Sequence, residues 1–328
     1  MDTAGRYAWF AEFEAKDISP CYQEWCRGIA EDPRLLELID SLPAAKRQPN
    51  LLLAAARLLG MEIAPFARFR SWLLGAWPEV REVAMARSTQ TNEAARAAVL
   101  LPVLAGMEGP LSLIEVGASA GMCLYPDRYS YSYDDGGLRL DPADGPSGVL
   151  LECSTAGNVP LPGKLPEVVY RAGVDLNPLD ASDPEDMRWL EALVWPEQAL
   201  RRERLAAAAA IVRSEPPTLV RGDLNAAIPE LVAAAPNEST VVVFHSAVLS
   251  YLSAEERLEF QHTMGRLPCR WIANEGIGVV ASAVASLPGP VEERRGQFVL
   301  TLDAQPLAWT ASHGQSMEWF GGLDRRED

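Results

Sequence analysis

The sequence is poor in histidine, in positive charge and in paired cysteines, and it has no long uncharged apolar run. Three histidines in 328 residues leave too few imidazoles for a metal cluster. The five cysteines (Cys21, Cys26, Cys123, Cys153, Cys269) include no Cys-x-x-Cys pair, so they read as reduced thiols with no metal and no disulfide framework. Lys and Arg number 29 against 45 Asp and Glu, a formal net charge of −16, which repels polyphosphates and argues against nucleic acid as a partner. No charge-free apolar run reaches the roughly eighteen residues a membrane helix needs, and the first thirty residues hold no apolar leader core. The expectation is a soluble cytoplasmic protein with no membrane partner.

What is present divides into two textures. Residues 6–107 carry helix-length apolar patterns broken by Pro and Gly: YAWFAEFEA, CYQEWCRGIA, PRLLELIDSL, NLLLAAARLLG, FARFRSWLLG and NEAARAAVLLPVLAGM. From Leu111 onward short β-rich runs alternate with helix-like stretches: LSLIEV, VVYRAGVDL, PTLVRGDL, TVVVFH and CRWIANEG. That alternation predicts a mostly parallel sheet with helices on its faces. The reading is a helical cap or substrate domain over residues 1–108 and an α/β domain over 109–328. An insertion between about residues 128 and 166 begins with RYSYSYDDGGLRLDP, a β-hairpin pattern, and runs on as a loop. The tail FVLTLDAQPLAWTASHGQSMEWF reads as two strands around a Pro-containing turn that close the sheet with an antiparallel pair.

The stretch LIEVGASAG places an acidic residue, Glu115, before a Gly-x-x-x-Gly turn. Gly117 would let the backbone pass close to a ligand, Gly121 would let a helix start against the strand, and exposed N–H groups would line the turn. The next two strands end in Asp175 (GVDLNP) and Asp223 (VRGDLN). Ligands of open α/β sheets sit outside the carboxyl edges of the strands, so Glu115, Asp175 and Asp223 are expected to converge there, Asp175 on a ribose diol and Asp223 on an adenine amino group. Each Asp is also placed to cap a helix.

In IEVGASAG, GVDLNP, RGDL and VVVFHSAVLSYL, covering most of residues 110–280, the chain resembles the class I S-adenosylmethionine-dependent methyltransferases. Over nearly its whole length it looks like the uncharacterised bacterial family known as DUF2332, whose N-terminal half carries stretches such as RQPNLLLAA and QTNEAARAAVLLP. The resemblance implies a Rossmann-like, methyltransferase-type sheet with S-adenosylmethionine as cofactor. By it, Glu115 would hold the amino-acid end of that cofactor, Gly117 and Gly121 the loop, Asp175 the ribose and Asp223 the adenine. Ser119 stands where the methyltransferase loop commonly has Gly, which puts a side chain where the methionine moiety lies.

His245 follows four apolar residues and is expected to emerge at a strand's carboxyl edge, either as a general base or as a hydrogen-bonded part of the pocket floor. Ser246 reads as a wall residue, and Asn274 with Glu275 as polar contacts to a substrate or a plain turn. In the cap, Gln48, Asn50, Gln90, Asn92, Glu93 and Arg96 form polar clusters beside apolar helices. They either cap helices and face solvent or read a substrate, with Arg96 suited to a carboxylate or sulfate. Three functions follow: methyl transfer to a small metabolite; a cofactor-free enzyme of the same fold performing an intramolecular displacement such as aziridine-type ring closure; or a non-catalytic scaffold. A homodimer or a partner subunit is the assembly these readings leave open.

Overall fold

The computed structural model describes residues 1–322. The chain begins with α1 (Thr3–Trp9), continued by a π-helical turn (Phe10–Glu14), then α2 (Pro20–Glu31), α3 (Pro33–Asp40), α4 (Pro49–Leu58), α5 (Phe66–Gly75) and α6 (Trp77–Ala86). Helix starts are written locally. Ser19 and Asp32 accept N–H groups from the first turns of α2 and α3, and Pro opens α2, α3 and α4, where a missing N–H costs nothing. After α7 (Ala97–Leu104) come β1 (Leu111–Val116), β2 (Ser130–Tyr133), β3 (Leu138–Leu140), β4 (Leu150–Gly157) and β5 (Val168–Asp175). Then follow α8 (Pro184–Leu193), α9 (Ala199–Ser214), β6 (Thr218–Arg221), α10 (Leu224–Ala234), β7 (Thr240–Ser246), α11 (Ala254–Met264) and β8 (Arg270–Gly276). The last elements are α12 (Ala281–Val284), β9 (Gln297–Leu302), β10 (Gln305–Ala311) and β11 (Ser316–Trp319). Among the described residues no helix is long and apolar enough to cross a membrane.

The described chain forms two compact units, residues 1–91 with 182–203, and residues 92–181 with 204–322. The first is helical. Trp25 stacks on Phe69 at 4.1 Å between ring centroids and donates its indole N–H to Ala64 O, while Trp195, from the returning segment, packs on Phe10 and Tyr22. A buried aromatic centre of this kind is what gives short helices their stability.

The second unit is built on an eleven-stranded sheet ordered β3-β2-β4-β11-β10-β9-β8-β7-β1-β5-β6. Six of its ten strand pairings are parallel and four antiparallel. The run β6-β5-β1-β7-β8 is wholly parallel and follows the order of doubly wound α/β sheets, with the switch point between β1 and β7. Residues 92–107 belong to this unit. Every residue of α7 is buried, as expected for AAVLLPVL, which is apolar all round.

Two expectations for the sheet are corrected. LLECSTAG, read as a loop, is strand β4, which joins the β2–β3 hairpin to the main sheet by pairing parallel with both β2 and β11. Its inward Leu151 and Cys153 alternate with exposed neighbours, the period of a strand. The tail forms three strands, not two, so the sheet does not end in an antiparallel pair at β9 and β10. Its first turn is Asp303–Ala304, both at positive φ, the conformation of a two-residue hairpin, and Pro306 lies inside β10 next to an irregularity in the ladder.

Candidate active site

The β1 strand ends at Val116 and the chain turns through Gly117 to Gly121. Gly117 (φ 69°), Ser119 (φ 50°) and Gly121 (φ 73°) are all left-handed. Three such residues in five turn the chain too sharply to enter an α-helix, and only a single 3-10 turn (Met122–Leu124) follows. The expected helix start at Gly121 is absent, and with it the helix N-terminus that would attract a phosphate. The glycines serve packing: a Cβ on Gly117 would lie 2.5 Å from Val248 Cγ2, and one on Gly121 would lie 3.0 Å from Pro217 Cγ.

All five N–H groups of this turn are spent inside the protein. Gly117 and Ala118 donate to Val174 O at 2.8 and 3.2 Å, and Gly121 donates to Ala118 O at 2.6 Å. Ser119 donates to Asp175 Oδ2 at 2.9 Å, while Ala120 donates to the side-chain oxygen of Asn92 at 3.0 Å. Asn92 completes its contact by donating Nδ2–H to Ser119 Oγ. The other Asp175 oxygen accepts Asn177 N–H at 2.7 Å. Asp223 is exposed and caps α10, accepting Ala226 N–H at 3.2 Å. In this arrangement the N–H donors of the loop are taken within the protein, and the Ser119 and Asn92 side chains bond to each other beside them.

The strand register separates the remaining candidates by sheet face. Glu115 pairs with Phe244 and Gly173, whereas His245 pairs with Val116 and Ala273, so Glu115 and His245 project to opposite faces. On the His245 face, the indole N–H of Trp271 donates to His245 Nε2 at 2.9 Å. An indole only donates, so the imidazole proton sits on Nδ1, and it is given to Glu275 Oε1 at 2.7 Å. His245 is completely buried with both ring nitrogens engaged, which leaves it no lone pair for a substrate proton. This geometry matches the second of the two alternatives, a ring hydrogen-bonded in place. Glu275 Oε1 also accepts Val248 N–H (2.8 Å) and Leu249 N–H (3.0 Å). Burial works to raise its pKa, but the His245 hydrogen bond and these two N–H groups outweigh it and hold the carboxyl below the ordinary carboxylate range. Glu275 thus fixes the turn after β7, where Ala247 is left-handed (φ 61°) and Val248 is set against Gly117.

On the opposite face, Asn274 bridges Ser246 Oγ (3.0 Å) and Thr310 Oγ1 (2.6 Å), and Arg96 donates to Ser246 O (2.9 Å) and Ser312 O (3.1 Å). Glu115 is 8% exposed, and its Oε2 has no hydrogen-bond partner. Burial pushes its pKa up to about 8, with Asp175 adding to the rise, while the Arg96 charge and the neighbouring Cys123 thiol pull it down. A buried carboxyl whose pKa is pushed up to about 8 is chemically suited to proton transfer. The Cys123 thiol is not: burial, first, and then the Glu115 charge push it well above its ordinary value.

The polar residues of residues 46–96 divide between the units. In the helical unit, Gln48 accepts from Thr89 Oγ1 and Asn50 from the Trp195 indole, and Gln90 is half-buried in the irregular segment 87–93. In the sheet unit, Glu93 accepts Ala95 N–H and pairs with Arg204 at 2.9 Å. Trp271, Thr310 and Cys123 were not singled out from the sequence. The i, i+4 spacing of Trp271 and Glu275 in a strand puts both on one face and was the available signal for the first.

No curated protein and no solved structure matches the chain. A family model does, over residues 4–319, and the chain therefore belongs to the family described as uncharacterized proteins conserved in bacteria, DUF2332.

Proposed function

We propose that this protein is an enzyme of methyltransferase-type fold that works without S-adenosylmethionine and performs a displacement within a small molecule. The observation that carries the reading is the turn after β1, whose five N–H groups all bond within the protein. Beside that turn stand a buried acid and a buried cation, Glu115 and Arg96. Neither nearby hydroxyl nor thiol is an activated nucleophile: Ser246 Oγ takes a hydrogen bond from Asn274, and the Cys123 thiol is held protonated by burial. Such a set favours a reaction in which the substrate brings both nucleophile and leaving group.

In this reading the substrate's nucleophilic atom attacks a carbon of the same molecule. The leaving group departs with the bonding electron pair, its negative charge facing Arg96. Glu115, ionised in part near pH 8, takes the proton that the nucleophile loses. Binding beside Glu115 and Arg96 would supply alignment, the largest lever available to an intramolecular step. Ring closure of the aziridine type is one member of this class.

The test is incubation of the protein with a bacterial polar-metabolite extract, followed by mass spectrometry, with and without added S-adenosylmethionine. The reading expects a metabolite consumed at the same rate in both, with consumption abolished in Glu115→Gln. Consumption only with the cofactor, and a product heavier by one methyl group, would replace it with the methyltransferase reading, which the acidic ends of β1 and β5 favour. No consumption in any extract, with a stable protein complex instead, would favour the scaffold.

A further inference from the structure

The Gly117–Gly121 turn is closed by one contact that its own strands do not supply. Four of its five N–H groups are answered by Val174, Asp175 or the turn itself, the partners a strand and its neighbour bring automatically. The fifth, on Ala120, is answered by the side chain of Asn92, which comes from a segment with no regular structure, residues 87–93. The primary amide of Asn92 is planar, accepts through Oδ1 from Ala120 and donates through Nδ2 to Ser119 Oγ. A carboxylate has the same shape and would accept at both points, because the Ser119 hydroxyl rotates to donate.

The surroundings hold a cation that can offset a carboxylate's charge beside the Asp175 carboxylate, which already accepts Ser119 N–H at 2.9 Å. Arg96, which ends the short 3-10 turn Ala94–Arg96 four residues after Asn92, is 6% exposed and hydrogen-bonds two neutral carbonyl oxygens, so a formal positive charge stays beside the loop. Glu115, near enough to feel both Arg96 and Asp175, keeps a buried Oε2 without a partner. An unsatisfied buried polar atom is unfavourable by about 1–3 kcal/mol, and Glu115, protonated below its raised pKa of about 8, can donate from that carboxyl to a ligand carboxylate. Asn92 is only half-buried, and the next residue, Glu93, is anchored separately by Arg204 at 2.9 Å. The Asn92 side chain can therefore leave without unfastening Glu93.

We infer that Asn92 is a built-in occupant of a carboxylate subsite: when its side chain withdraws, Ala120 N–H and Ser119 Oγ receive the carboxylate of a small-molecule ligand, with Arg96 supplying the charge. The inference concerns what fills the turn and not which reaction follows, so it does not rest on the cofactor-free reading.

The test uses full-length, 15N-labelled protein titrated with sodium acetate at constant ionic strength, following the Ala120 amide resonance, with sodium chloride as the control. In Asn92→Ala the Ala120 resonance should move and saturate with acetate at a concentration at least about tenfold below that needed in the wild type, the loss of an internal competitor worth about 1.4 kcal/mol or more. Asn92→Asp, which keeps a carboxylate on the same tether, should stay as closed as the wild type. Asn92→Gly is the second opening variant, should Asn92→Ala fold poorly by circular dichroism. Equal responses in wild type and opening variants, the same shift with chloride, or an Asn92→Asp protein as open as Asn92→Ala would each overturn the inference. Titration with S-adenosylmethionine is a separate experiment, so the two ideas fail independently.

Discussion

Replacing Glu115 with Gln is expected to change how stability depends on pH, and the size follows from the site. In the fold this carboxyl titrates at about 8 against an ordinary 4.5, chiefly because it is buried. The folded state therefore holds a proton that the unfolded chain has lost between those two values. Stability is fully present below the unfolded pKa and is lost as pH rises through the folded one, at about 1.4 kcal/mol per pH unit while the folded group stays protonated and the unfolded group does not. Between pH 5 and pH 8 the wild type should lose up to about 4 kcal/mol from this residue alone, a ceiling that water entry at high pH will lower. The carboxamide of Glu115→Gln is isosteric and does not titrate. Urea unfolding of both proteins at pH 5, 6, 7 and 8 isolates the residue, since every other group titrates alike in the two. The variant should be near the wild type at pH 5 and the more stable of the two at pH 8. Parallel stability curves, differing by a constant across the range, would refute a proton held at Glu115.

Other outcomes follow from the same network. Gly117→Ala should destabilise by about 2–4 kcal/mol, from the left-handed backbone and the contact with Val248, and the double variant Gly117→Ala with Val248→Ala should recover the overpacking part in a urea double-mutant cycle. Trp271→Phe strips the donor from His245 Nε2 while keeping an aromatic core, and should lower stability by about 1–3 kcal/mol, measured by urea unfolding; an unchanged midpoint would show that Nε2 finds another partner. Glu275 is the reverse of Glu115. With its folded pKa held low, its contribution is present above the unfolded pKa and is lost as pH falls through the folded value, so Glu275→Gln should flatten the acid limb of the stability profile below about pH 5.

Much of the parallel sheet was legible because its strands are self-announcing. LSLIEV is β1 residue for residue, and β5 to β8 fall within runs of β-branched and aromatic residues bounded by turn signals. The fate of LLECSTAG was not visible, since joining a sheet through two parallel partners depends on where β2 and β11 lie, and no local signal encodes that. For the site, residue types were readable but faces were not. Glu115 and His245 both sit near carboxyl ends of adjacent strands, yet a one-residue register places one on each side of the sheet. Asn92 was readable as a cap or a substrate contact; its actual place, in the turn of a strand beginning nineteen residues later, depends on how the irregular segment 87–93 folds back. The Gly-x-x-x-Gly spacing was misleading for a physical reason. The same small residues that let a backbone approach a ligand also let it turn sharply against Val248 and Pro217.

Whether the β1 turn has room and donors for a nucleotide cofactor decides between the two chemistries. Isothermal titration of the full-length protein with S-adenosylmethionine, and separately with its demethylated product, asks this directly. The closed turn predicts heats no different from dilution with either compound in a protein shown to be folded by its circular dichroism. Micromolar binding that is lost in Asp175→Ala would contradict it, and would mean that Asn92 yields to the cofactor and that methyl transfer is the chemistry to pursue.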